Sequence, residues 1–168
     1  MKLASIKPND IALVKNDSLI LMGETLARES ALPKGCSMLE VIANYASVND
    51  LLESYAAKTT ATKLDPKMLK APIEKPSKIW AAAANYKRGT GGLDDARGRG
   101  AAGTATAEQL LERIFLKPPS CICGPEDNII IPNGAETIFP ELELCVVIGK
   151  ETRNISKERA YEAIFGYT

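Results

Sequence analysis

The sequence predicts an α+β, mainly β chain in two parts. Three observations carry that prediction. Short apolar runs rich in β-branched residues recur between turn residues, as strands do. Only a few segments combine helical spacing with a recognisable cap. A Thr- and Lys-rich connector, Thr59 to Pro76, is punctuated by Asp65-Pro66, Ala71-Pro72 and Lys75-Pro76, which favour extended, turn-rich chain. The boundary falls near Lys70, giving a small N-terminal α+β domain (1–70) and a second domain (71–168). With 168 residues and 45% hydrophobic composition, the chain can fill one good-sized core or two small ones.

In the first part, Leu3–Ile6, Ile11–Val14 and Leu19–Met22 read as strands. Asn16-Asp17-Ser18 supplies the hairpin turn between the latter two. Pro33-Lys34-Gly35 is a loop. Ser37-Met38-Leu39-Glu40 matches a capping box and opens a short helix to about Tyr45. Asn49 can cap a second helix with Leu51, Leu52 and Tyr55 on one face. This part carries packing and assembly rather than chemistry.

In the second part, Lys78–Ala83 reads as a buried strand. Gly89 to Thr104 is glycine-rich and fits either a mobile lid or a plain insertion; it lacks both P-loop and dinucleotide-binding spacings. Thr106-Ala107-Glu108-Gln109 is a further capping box, opening a helix through Ile114. Asn128–Pro132 reads as a buried strand, and Ser156 caps a last helix over Lys157–Phe165 that Gly166 would end.

Composition narrows the function classes. Lys+Arg and Asp+Glu both total 21, so the zero net charge argues against nucleic acid and anionic membranes as partners. No apolar run reaches transmembrane length, and Asp10 interrupts the first apolar stretch, so neither a membrane span nor a signal peptide is expected and a cytoplasmic location follows by default. The sequence has no histidine, which removes the commonest general base and transition-metal ligand. Cys36, Cys121, Cys123 and Cys145 form no zinc spacing and are expected as small apolar residues without disulfides.

The chemistry-bearing stretch is F-P-E-L-E-L-C-V-V-I-G-K (139–150). Read as a strand buried toward its C-terminal half, it puts Glu141 and Glu143 on one face. Two neighbouring carboxylates need water, a basic partner, a shared proton or a cation. An all-oxygen pair suits Mg²⁺, Mn²⁺ or Ca²⁺, and a solvated polar face is the plainer alternative.

Around this stretch stand K-I-W-A-A-A-A-N-Y (78–86), F-L-K-P-P-S (115–120), G-P-E-D (124–127), I-I-I-P (129–132), R-N-I-S (153–156) and A-I-F-G-Y-T (163–168). In this order and spacing, the set resembles the fumarylacetoacetate hydrolase (FAH) family, and residues 1–70 resemble its small front domain. The resemblance implies a small N-terminal domain followed by part of a mixed β-sandwich or roll catalytic domain, homodimers, and C–C bond cleavage in small 2-keto acids or 1,3-dicarbonyls such as acylpyruvates. It further implies a divalent metal, usually Mg²⁺, stabilising an enolate, with Glu141 and Glu143 as metal ligands. Asn85, Tyr86 and Lys117 fall at substrate-binding positions, and Lys87 and Arg88 at catalytic ones.

Two departures stand out. The family's N-Y-x-x-H becomes Asn85-Tyr86-Lys87-Arg88-Gly89 here. The family's third metal-binding Asp and its catalytic Lys fall beyond the A-I-F-G-Y-T match, so an incomplete catalytic domain is expected. A catalytically silent remnant that only folds and dimerises is the alternative reading.

Overall fold

The computed structural model describes residues 1–58, 61–83, 106–136, 138 and 140–168. The chain is a mixed α/β protein whose strands form small sheets. It divides into two compact units: Met1–Glu74 with Ile122–Asn133 and Glu143–Thr168, and Lys75–Cys121 with Gly134–Leu142.

The first unit is built on a four-stranded antiparallel sheet in the order β1 (Leu3–Ile6), β2 (Asp10–Lys15), β3 (Ser18–Leu21), β4 (Thr62–Lys63). Lys15 pairs with Ser18, leaving Asn16 and Asp17 as a two-residue turn. Asn16 takes φ 53°, the left-handed conformation that such turns demand and Asn tolerates. Strand alternation then sorts side chains by face. Ile11, Leu13 and Ile20 enter the main core, while Ala12 and Leu19 join Ile6 in a smaller cluster under Leu64, Met68 and Leu69.

Three helices cover the main core: α1 (Gly23–Glu29), α2 (Met38–Ala43) and α3 (Tyr45–Lys58). The capping box at α2 forms as the sequence predicts: Glu40 N–H donates to Ser37 Oγ at 3.3 Å, and Ser37 N–H donates to Glu40 Oε2 at 2.7 Å. Helix α3 begins at Tyr45 rather than after Asn49, because Val48 is fully buried and holds the first turn against the core. Helix α1 has no local signal. Its N-cap residue, Met22, offers no side-chain cap, and Asp10 of β2 takes the Gly23 N–H instead.

The connector runs back along β1. Lys7 N–H donates to Met68 O, Lys70 N–H donates to Ser5 O, and Ser5 Oγ donates to Pro72 O. The Lys70 ammonium donates to Pro8 O and Asn9 Oδ1 and pairs with Glu74. An extended, proline-rich segment has its backbone groups free for such bonds.

The same unit holds an antiparallel hairpin of β7 (Val146–Ile148) and β8 (Ile164–Tyr167). Cys145 and Thr168 extend it by exchanging N–H···O bonds of 2.8 and 3.0 Å. Val147 and Phe165 pack on the main core, and the Phe165 ring meets Tyr45 edge to face, with centroids 4.9 Å apart at 89°. The expected last helix is corrected here. Residues Lys157–Ala163 form a 3-10 helix, and Gly166 lies inside β8 instead of ending a helix. Pairing with β7 satisfies the backbone of Ile164–Tyr167 better than a frayed helical end would.

The second unit contains β5 (Ile79–Ala82), α4 (Ala107–Leu111) and β6 (Ile114–Lys117). Thr106 and Gln109 form the predicted reciprocal cap: Thr106 N–H donates to Gln109 Oε1, and Gln109 N–H donates to Thr106 Oγ1. The helix stops before Ile114, which pairs with Ala82 in the β5–β6 ribbon.

Two burial expectations are corrected. Lys78–Ala83 does contain a strand, but Trp80 is 63% exposed. Asn128–Pro132 is not in a paired strand, and Ile130 is 87% exposed. Apolar, β-branched composition makes a segment fit for a sheet, but burial requires a covering layer; among the described residues β5 has only β6 beside it, and Asn128–Pro132 belongs to no sheet. Of the four cysteines, Cys36 alone is buried, and all four are free thiols.

Candidate active site

The carboxylate stretch keeps less regular structure than its alternation predicts. Among the described residues of this stretch only Val146–Ile148 is strand, and Glu141 and Glu143 precede it in exposed, irregular chain. Leu142 between them is fully exposed. Periodicity of two places side chains on faces only where a neighbouring strand enforces the pleat, and the ladder with β8 runs from Cys145 onward. Glu141 belongs to the second unit and Glu143 to the first.

Lys117 ends β6 opposite Ile79, and its side chain is exposed. Phe115 and Ile79 share its face of the ribbon, and Trp80 and Leu116 share the other, so both faces are apolar. Asn85, Tyr86, Lys87 and Arg88 lie outside the described residues, as do Phe139 and the glycine-rich stretch 89–104.

Two carboxylates supply hard oxygen donors, and Mg²⁺ is commonly held by one or two carboxylates while keeping several waters. Glu141 and Glu143 therefore fit such an ion by donor chemistry. Among the described residues there is no group of three or more His, Cys, Asp or Glu able to hold a metal. A soft or tetrahedral site is thus not formed by the described cysteines.

Sequence reasoning missed one structural partner of this stretch. Tyr45 and Phe165 lie far apart in the sequence, and no local pattern links them.

A small front sheet with three helices, followed in sequence by two short antiparallel ribbons with an E-x-E stretch between them, defines the class: a modular α/β chain. Residues 78–168, more than half the chain, match the family described as fumarylacetoacetate (FAA) hydrolase C-terminal. This chain belongs to that family. It is 29% identical over 176 residues to the maleylpyruvate hydrolase of Aquipseudomonas alcaligenes, a match covering 99% of this chain and 59% of that protein. It is 37% identical over 100 residues to the fumarylacetoacetate hydrolase domain-containing protein 2 homolog of Dictyostelium discoideum, covering 60% of this chain and 29% of that one. The fold resembles the crystal structure of maleylpyruvate hydrolase from Sphingobium sp. SYK-6 in complex with manganese(II) and pyruvate. That likeness has a TM-score of 0.68 at 22% identity and covers 99% of this chain and 56% of that one. The chain thus spans less than two thirds of each of these relatives. No helix among the described residues is long and apolar enough to cross a membrane.

Proposed function

We propose that this chain carries part of a metal-dependent hydrolase acting on a small 2-keto acid or 1,3-dicarbonyl of the acylpyruvate kind. The observation that carries the reading is the match along 99% of the chain, in sequence and in fold, to maleylpyruvate hydrolases. Its E-x-E carboxylates are of the type a hard divalent ion takes.

In this reading Glu141 and Glu143 hold the ion, Mg²⁺ or Mn²⁺ ahead of Ca²⁺. When bound, the ion supplies a Lewis acid for the negative charge that cleavage places on the keto-acid oxygens. Lys117 and Arg88 anchor the substrate's carboxylate by charge. Asn85 and Tyr86 orient its carbonyls. Lys87 moves protons, because the sequence has no histidine to do so. Water adds to the acyl carbon and the C–C bond breaks. Its electron pair goes to the pyruvate-type fragment, which takes up a proton at carbon. The proposal extends to a homodimer working in the cytoplasm.

The test titrates Mn²⁺ into the chain by calorimetry and follows maleylpyruvate disappearance with Mg²⁺ present. Binding that is lost in Glu141→Gln and Glu143→Gln, together with turnover, supports the reading. No metal binding in the parent overturns it. Metal binding without turnover would favour the non-catalytic alternative, consistent with the missing family histidine.

A further inference from the structure

The front module, strands β1–β4 with helices α1–α3, meets the β7–β8 hairpin through Val147 and through an aromatic contact at Phe165. Tyr45 is the first residue of α3, and its ring stands edge to face with Phe165 of β8 at a centroid distance of 4.9 Å. Phe165 and Val147, on the two paired strands of the hairpin, both pack against the main core of the front module. Gly149 makes room for that seat: a Cβ there would lie 2.7 Å from the Phe165 Cβ. The hairpin closes through the paired Cys145 and Thr168, two residues after Glu143.

A two-stranded hairpin alone is marginal in water. Val146 and Ile148, which flank Val147 on β7, are largely exposed, so the inward residues supply the hairpin's anchorage among the described residues. The chain of contacts runs from α3 through Phe165 to β8, across the ladder to β7, and along the backbone to Glu143.

We propose that Tyr45 and Phe165 are positioning residues, by which the front module sets the backbone that carries Glu143. The front module is then part of the site's machinery rather than only an assembly surface. The consequence for metal affinity rests on the reading of Glu143 given above; the anchoring does not.

The test uses the whole 168-residue chain in the Tyr45→Leu, Phe165→Leu, double and Tyr45→Phe variants. Each is first checked by circular dichroism to be folded at the working temperature. Amide hydrogen exchange is read at Cys145, Gly149 and Thr168, and the Mn²⁺ dissociation constant by calorimetry. Both Leu variants are expected to speed exchange at these amides and weaken Mn²⁺ binding roughly two- to tenfold, the scale of an edge-to-face aromatic coupling. The double variant should be no worse than about the weaker single, because both remove the same contact. Tyr45→Phe should restore both readouts, since the ring rather than the hydroxyl makes the contact. Unchanged exchange overturns the anchoring. Faster exchange with unchanged Mn²⁺ affinity overturns the positioning role and leaves simple packing. If the parent binds no Mn²⁺, the metal reading of Glu143 falls and exchange alone decides the anchoring.

Discussion

The Asp10 carboxylate reaches from β2 to the first turn of α1 and accepts the Gly23 N–H at 2.7 Å. The same oxygen accepts the Ile11 N–H at 2.7 Å. One side chain thus caps a helix that begins 13 residues further along the chain and fixes where the chain leaves the sheet.

Removing that cap should cost stability. Asp10→Ala leaves the Gly23 N–H without its charged acceptor, and a loss of about 1–2 kcal/mol is expected in urea unfolding. Gly23→Ala should also destabilise, because its Cβ would fall on the Asp10 carboxylate. The two changes should be less than additive, since both break one contact.

Acid should unfold the front module partly through its capping box. The Glu40 carboxyl is held below its ordinary value of 4.5, chiefly by the Ser37 backbone N–H and then by the Ser37 hydroxyl. A depressed carboxyl contributes stability that is present above the ordinary pKa and lost as pH falls through the lowered one. Glu29 is lowered in the same sense, first by its bond from Arg28 and then by the Tyr55 hydroxyl. Melting temperature should therefore fall as pH drops below about 4.5. Glu40→Gln, which can still close the box without titrating, should show a shallower fall.

Core and ribbon should respond very differently to truncation. Leu52 is fully buried among α2, α3 and the sheet, and Leu52→Ala should cost about 2–5 kcal/mol. Trp80 is 63% exposed on the β5–β6 ribbon. Trp80→Ala should change unfolding free energy by no more than about 0.5 kcal/mol. It should reduce self-association measured by light scattering, because it removes exposed aromatic surface from an apolar ribbon face.

If Lys117 anchors the substrate's carboxylate, Lys117→Met should raise KM for an acylpyruvate about tenfold, the scale of a charge-assisted hydrogen bond, with kcat nearly unchanged. A matched fall in kcat with steady KM would instead place the ammonium at the developing charge.

Much of this architecture is legible without coordinates. The Ser37–Glu40 and Thr106–Gln109 caps, the Asn16-Asp17 turn and the three front strands all rest on residues within four positions of one another. The family, too, is legible, because it is carried by short ordered motifs. The extent of β7, the exposure of Ile129–Ile131 and the split of Lys157–Tyr167 into 3-10 helix and strand were not legible. Each depends on whether a neighbouring strand is there to pair.

By itself, then, the amino-acid sequence determined the front strands and their turn, the two capping boxes, the family and the adjacency of Glu141 and Glu143. Turns, caps and side-chain alternation are set by steric and hydrogen-bonding choices within a few residues. Tertiary structure alone decided that Asp10 would cap α1, that Tyr45 would receive Phe165, and that the front module would bear the hairpin following Glu143. Those choices join residues far apart in the chain, where the gain comes from burying shared apolar surface and satisfying backbone groups, and no local pattern encodes the partner.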